Sequence, residues 1–508
     1  MTYISQLGVD GIRLSPIFES PDQDFGYDIS DYYAVHHDLG DANTFDLLIE
    51  QAHNRGLKVI LDMVVTHTSD SHPWFVDSST DAESAYSKYY LWEDTVPNNW
   101  MSAFGGKGWS FHQKRNQYYF HSFFAFQPDL NWQNSQVAEE FKAVLRHWYD
   151  LGVDGIHLAY VNGLTKDASL RNNPVSLGTK PYAYSMQRHI FDRNRPETYP
   201  RLLDLRHIAD SYETDRLLCG DILYEMPGEP ELAAAYIGRD SDMLHLSFDA
   251  SLLHVRFSAA HWRRVAKRWY EAIGSKRTPA WTLNNHDLSR FSSRVRGNED
   301  KMRLAALFLL TQRGTIFLYY GEELGLQNSR VALKKKQDPL GKRFWPFHRG
   351  RDLARGPMVW STGKGSGFTT GKSWLEVTPS ANYFSVENQE LEQDSMLNFY
   401  RAMIALRDAD PVLQRGICDF LTCNNPAILA YTRILGDEQR LIILNMSGRS
   451  QPCTLLSFLL KDGVKVRARF STHSIERETG SGESVYLLAP YQGIIFAVIS
   501  QSLKSKSS

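Results

Sequence analysis

Thr44-Phe45-Asp46-Leu47-Leu48-Ile49-Glu50-Gln51-Ala52-His53-Asn54-Arg55-Gly56-Leu57-Lys58-Val59-Ile60-Leu61-Asp62-Met63-Val64-Val65-Thr66-His67 is the stretch from which the fold is read. Its first half puts Phe45, Leu48, Ile49 and Ala52 on one helical face, and Gly56 is a helix stop. Its second half is a continuous apolar run, rich in β-branched residues, as expected of a strand buried on both faces. The design recurs at 137–149, with Phe141, Val144, Leu145 and Trp148 on one face and Gly152 as the stop. Strand-like runs stand at 11–17, 57–65, 155–161, 216–222, 243–248, 280–284 and 315–320. Strands of this kind alternating with helices predict a parallel sheet covered by helices. Seven of them in succession favour a closed α/β architecture, the (β/α)8 TIM barrel, over an open sheet.

Such a barrel needs eight strands, and the missing one is the first. Residues 3–7 read as the tail of a helix, so the chain is expected to start inside a βα unit. Residues 68–131 break the alternation with a long aromatic insertion, including Trp74, Trp92, Trp100, Trp109, Tyr118 and Tyr119, and read as an excursion domain. From Pro411 the pattern turns to short strand-like runs at 428–432, 440–445 and 493–499. The expected organisation is barrel over 1–67, excursion over 68–131, barrel again over 132–410, an antiparallel β-domain over 411–500, and a disordered tail over 501–508.

The composition excludes several functions. Of 508 residues, 42% are hydrophobic and 22% charged, an ordinary globular balance. Fifty-six basic residues nearly cancel fifty-eight acidic ones, leaving no excess for a nucleic-acid partner. No run approaches the length of a membrane span. The N-terminus lacks the basic start and apolar run of a signal peptide. Cys219, Cys418, Cys423 and Cys453 show neither metal spacing nor a disulfide framework. A cytoplasmic protein with no membrane partner is expected.

In a barrel, chemistry collects at the C-terminal ends of the strands. Those ends read Gly26-Tyr27-Asp28-Ile29-Ser30-Asp31-Tyr32 beyond the first run, then Asp62 through His67-Thr68-Ser69, then Cys219-Gly220-Asp221-Ile222, then Asn284-Asn285-His286-Asp287. Carboxylates and imidazoles on one rim suit sugars: carboxylates grip hydroxyl pairs, and a carboxyl pair performs acid/base glycosidic cleavage.

These strings carry a resemblance to glycoside hydrolase family 13, the α-amylase superfamily, in its α-glucosidase and oligo-1,6-glucosidase branch. Further ones are Asn98-Asn99-Trp100, Gln127-Pro128-Asp129-Leu130-Asn131, Tyr320-Gly321-Glu322-Glu323, Arg355-Gly356-Pro357-Met358 and Gly367-Phe368-Thr369-Thr370-Gly371. The resemblance runs from the first residues into the C-terminal domain. It implies retaining chemistry on α-linked glucosides and short gluco-oligosaccharides, with no cofactor. Asp287, beside His286, matches the residue that stabilises the transition state. Tyr27, Asp28 and His67 match residues that hold the sugar, and Arg355 matches a further subsite residue.

The two reacting positions depart from the family. Its Val-Asp-Gly-Phe-Arg-x-Asp motif is here Val153-Asp154-Gly155-Ile156-His157-Leu158-Ala159, so Ala159 stands for the nucleophile and His157 for the arginine that positions it. Its Gly-Glu-Ile becomes Gly220-Asp221-Ile222, which makes the acid/base residue Asp221, one methylene short. A retaining reaction needs two carboxyls ~5 Å apart, and an inverting one needs ~6.5–9.5 Å. Asp154 lies at the wrong end of its strand. Tyr160 follows Ala159 and should face the other way. Glu225 sits on a loop past Asp221. Asp221 and Asp287 form the remaining pair for an inverting route, a role neither has in the family. The resemblance therefore implies a strongly impaired glucosidase, or a silent relative that only binds sugar or is a decaying copy. Certain transporter heavy subunits also resemble the family, but they carry a transmembrane helix. The Asp/Asn/Gly loop that in many members holds Ca²⁺ is missing, so no metal is expected. The linkage preference is not legible.

Overall fold

The computed structural model describes residues 1–177, 183–224, 228–378, 381–453, 465–473 and 486–499. Glu225 and the tail over 501–508 lie outside the described residues. The chain divides into two compact units, Met1–Asp249 and Ala250–Ser508.

In the first unit the strands are β1 (Gly11–Leu14), β2 (Lys58–Val64), β3 (Gly155–Ala159), β4 (Leu217–Gly220) and β5 (Leu246–Ser247). They form one sheet in the order β1-β2-β3-β4-β5, and every pair is parallel. Spatial order equal to chain order is the winding of a (β/α) barrel, whereas a doubly wound sheet reverses direction. The register sets Asp62 beside His157 and His157 beside Cys219.

Helix α1 (Ala42–His53) begins two residues before the apolar periodicity does, because the Asp41 side chain accepts the Thr44 N–H. Helix α2 (Ser135–Asp150) likewise starts early, capped by Asn134, and buries Phe141, Val144, Leu145 and Trp148 as expected. Asp154 sits at the start of β3, where it accepts from Lys58 Nζ (2.8 Å) and the Val59 N–H (2.9 Å) and pairs with His53 Nε2 (2.7 Å). It is a tie between elements, remote from the strand's C-terminal end.

The aromatic insertion contains the helix Pro73–Thr80 and a three-stranded antiparallel sheet of Trp92–Glu93, Gln117–Phe120 and Trp109–His112. Trp100, Trp109 and Phe120 form its core. Lys166 Nζ pairs with Asp129 Oδ2 at 2.7 Å, and both side chains are buried.

In the second unit β6 (Ala280–Thr282) and β7 (Thr315–Phe317) are parallel, and α3 (Ala259–Ile273) and α4 (Glu299–Leu310) precede them. A separate antiparallel sheet follows, made of β8 (Ile417–Leu421), β9 (Ile428–Leu435), β10 (Glu438–Asn445), β11 (Lys465–Ser471) and β12 (Gly493–Ile499), in the order β8-β9-β10-β12-β11. Ile428, Ala430, Leu441, Ile443, Ile494 and Phe496 pack its core. The three inner strands are legible from apolar content. The outer strands β8 and β11 are not, since edges carry charged residues such as Lys465, Arg467 and Arg469.

Candidate active site

Ala159 ends β3 and is the only residue of that strand that is not buried. Two residues earlier, on the same face, the His157 ring sits with Nδ1 2.7 Å from Asp62 Oδ1, and the two side chains are 2% and 3% exposed. Tyr27 OH donates to the other oxygen, Asp62 Oδ2, at 2.8 Å. Asp62 thus bridges Tyr27 and His157. His157 Nε2 is buried and has no hydrogen-bond partner among the described residues. The ring meets Phe248 edge-on, with centroids 5.4 Å apart.

Arg13, on β1, lies over the same Phe248 ring at 5.6 Å. Burial pulls its pKa down, but Asp62, Tyr27, Cys219 and Asp221 outweigh that and raise it. Neither Arg13 nor Asp62 was given a role from sequence. The signal for Arg13 was available: a lone arginine inside an apolar strand run requires an anionic neighbour.

Asp221, just beyond β4, accepts the Tyr160 backbone N–H on Oδ1 at 2.7 Å, and its own carbonyl accepts the Val161 N–H at 3.0 Å. Its carboxylate is therefore tied to the turn that follows Ala159. Tyr160 lies past the strand in the left-handed region (φ 60°), so strand alternation does not set its direction. Its ring packs against Phe123, centroids 4.9 Å apart, and covers Gly163, where a Cβ would come within 2.2 Å of Tyr160 Cε1.

His67 Nε2 lies 3.0 Å from the Tyr27 carbonyl, and burial holds its pKa down. Asp28 is fully buried and accepts from the Asp24 N–H (2.9 Å), the Gln23 N–H (3.0 Å) and Ser20 Oγ (3.1 Å). Burial nonetheless pushes its pKa up to about 6. The carboxylate is occupied by its own loop and fixes the backbone from which Tyr27 projects.

The second unit holds the other matched residues. Arg355 donates from NH2 to Asp287 Oδ1 at 3.0 Å and from Nε to the His286 carbonyl at 3.0 Å. His286 Nε2 stands 3.4 Å from Asp287 Oδ2, and Arg351 NH1 3.8 Å from Oδ1. Burial alone would raise the Asp287 pKa, but His286, Arg355 and Arg351 outweigh it and hold the carboxyl below its usual range. Asn285 Oδ1 shapes this turn by accepting the N–H groups of Asp287 and Leu288, at 3.2 and 3.0 Å. Asn284 anchors the turn from behind, donating to buried Glu322 and accepting the Phe291 N–H. The sequence names Glu322 within the Tyr320-Gly321-Glu322-Glu323 string but gives it no role. Tyr27, His67, His157, Ala159 and Asp221 are thus arrayed around neighbouring strand ends of the first unit, and His286, Asp287 and Arg355 are clustered in the second.

The alpha-amylase catalytic-domain family model matches residues 1–416. A relative described as "Probable alpha-glucosidase" from Rhizobium meliloti (strain 1021) is 37% identical over 465 residues, covering 88% of this chain and 84% of the relative. The crystal structure of the α-glucosyl transfer enzyme XgtA superposes with a TM-score of 0.89 at 35% identity, covering 98% of this chain and 93% of that one. A glucose complex of an Asp-to-Ala variant of the trehalulose synthase MutB superposes with a TM-score of 0.85 at 28% identity, covering 98% and 94%. No described helix is long and apolar enough to cross a membrane. Singly wound parallel strands, a separate antiparallel sheet and these matches agree: the chain belongs to the α-amylase family, glycoside hydrolase family 13, with its TIM-barrel fold and C-terminal antiparallel domain, and is α-glucosidase-like.

Proposed function

We propose that this protein is an α-glucoside-binding member of the α-glucosidase and oligo-1,6-glucosidase branch in which hydrolysis is strongly impaired. The observation that carries the reading is Ala159 at the end of β3. A methyl group cannot attack an anomeric carbon, so the covalent route of a retaining glycosidase is closed. The nearest reacting candidate, Asp221, is one methylene shorter than the family's glutamate and accepts a backbone N–H from the next turn. Tyr27 and His67 in the first unit are assigned to sugar binding, and so are His286, Asp287 and Arg355 in the second. Asp28 supports that binding by holding the Tyr27 loop. Ground-state binding does not require a nucleophile. An inactive double variant of MutB that holds isomaltulose supports this separation of binding from turnover.

Two measurements on the purified chain test the reading. Calorimetric titration with maltose or isomaltose is expected to show weak, millimolar binding. Hydrolysis of a nitrophenyl α-glucoside is expected to fall on the order of 10⁴–10⁶ below that of an active relative. Family-like turnover would refute the impairment. No heat at tens of millimolar sugar, from a folded protein, would refute retained binding.

A further inference from the structure

Phe18–Glu19 pairs antiparallel with Asp31–Val35, forming the neck of the loop that carries Tyr27 and Asp28. Five ligand-type side chains crowd there, Glu19 and Asp22 on the outgoing limb and His36, His37 and Asp38 on the returning one. The ligand atoms of Glu19, His36 and His37 lie within 4.8 Å of one another, as do those of Asp22, His36 and Asp38, so His36 is common to both sets. The His36 side chain is only 7% exposed. Its Nε2 faces Asp22 Oδ2 at 3.0 Å, yet it is buried without a hydrogen bond among the described residues. His37 Nδ1 is 2.8 Å from Glu19 Oε1, and its Nε2 is 3.8 Å from Asp38 Oδ1. A buried, unsatisfied imidazole nitrogen among three carboxylates and a second imidazole is more than a surface ion pair.

We propose that this neck binds one divalent transition-metal ion of the zinc class, with His36 as the buried donor, Asp22 and Asp38 beside it, and Glu19 and His37 closing the other side. Imidazole mixed with carboxylate suits zinc, nickel or copper, whereas calcium and magnesium favour all-oxygen sets. The sequence reading expected no metal, because the Ca²⁺ loop is missing, and this proposal departs from that expectation. His36 Nδ1 accepts the Asp38 N–H at 3.1 Å, so the neutral ring carries its proton on Nε2. Ligation through Nε2 requires the other neutral tautomer, with the proton moved to Nδ1 at the expense of the Asp38 N–H bond. A bound ion would clip the two limbs and close the loop over 19–36, which otherwise carries the entropy of an open segment. The site is independent of the sugar reading.

The experiment uses the full chain, stripped with EDTA, desalted, and titrated with Zn²⁺ against a chromogenic chelator. The expected result is one equivalent bound at about 10 µM or tighter, with Ca²⁺ and Mg²⁺ failing to compete. Saturating Zn²⁺ is expected to raise the thermal midpoint by about 2–4 °C. His36→Gln should abolish uptake. Should that buried substitution not fold, His37→Ala and Asp38→Asn, both at exposed positions, should each weaken it by at least roughly tenfold. No uptake at high micromolar Zn²⁺, or uptake unchanged in the folded variants, overturns the proposal.

Discussion

Asp221 Oδ1 accepts the backbone N–H of Tyr160 at 2.7 Å, so this carboxylate is held by the turn that follows Ala159. The same bond helps hold Tyr160 in its left-handed conformation. If the proposed reading holds, the two departures from the family motif are coupled through this bond, and reversing one leaves the other in place.

Activity should return only when the departures are reversed together. Ala159→Asp supplies a nucleophile but places it beside His157, where no guanidinium fork holds it in position. Asp221→Glu must first break the bond to Tyr160. Residues acting as one unit are strongly non-additive. The single changes Ala159→Asp, His157→Arg and Asp221→Glu should each gain little on a nitrophenyl α-glucoside, whereas the triple should gain orders of magnitude. Restoration by Ala159→Asp alone would show that His157 and Asp221 are no obstacle.

Lys166→Met should be among the more damaging substitutions. It removes the cation 2.7 Å from Asp129 in a fully buried pair, leaving that carboxylate with the Ser122 N–H and hydroxyl, each at 2.6 Å. Breaking such a pair from one side costs about 3–5 kcal/mol. The check is the urea midpoint of wild type against variant. An unchanged midpoint would mean that Ser122 alone satisfies the buried charge.

Gly163→Ala should disturb the turn beside Ala159. The added Cβ would lie 2.2 Å from Cε1 of the buried Tyr160 ring, which is already packed against Phe123. Overpacking of this kind costs roughly 1–3 kcal/mol. A drop in thermal midpoint should accompany weaker maltose binding, and Gly163→Ser should behave likewise.

Glu322 makes stability depend on pH. Burial raises its pKa to about 7, against the hydrogen bonds from Asn284, Tyr319 and Tyr400 that favour the charged form. The folded state holds the proton more tightly than the unfolded state. The contribution is therefore fully present below the unfolded value of 4.5 and is lost as pH rises to about 7. Its size is on the order of 3 kcal/mol. Urea unfolding at pH 5 and pH 8 should show wild type losing stability relative to Glu322→Gln at the higher pH. A constant difference between the two proteins would exclude this assignment.

The sequence by itself determined the family and the barrel winding, and it puts an alanine at position 159. Those features are local: apolar periodicity reports which face a segment buries, and a motif is read in consecutive residues. The caps at Asp41 and Asn134 moved helix starts by only two residues. What the tertiary structure decided is who meets whom. His157 finds Asp62 across 95 residues of chain, and Tyr160 finds Asp221 across 61. Asp28, which by family pattern reads as a sugar ligand, turns out to be occupied by its own loop. Arg13 became a member of the strand-end cluster, and Glu322 the anchor behind Asn284, only once neighbouring strands were laid side by side. Hydrogen bonds and ion pairs between distant segments leave no period in the sequence, because their geometry exists only after the sheet has fixed its register.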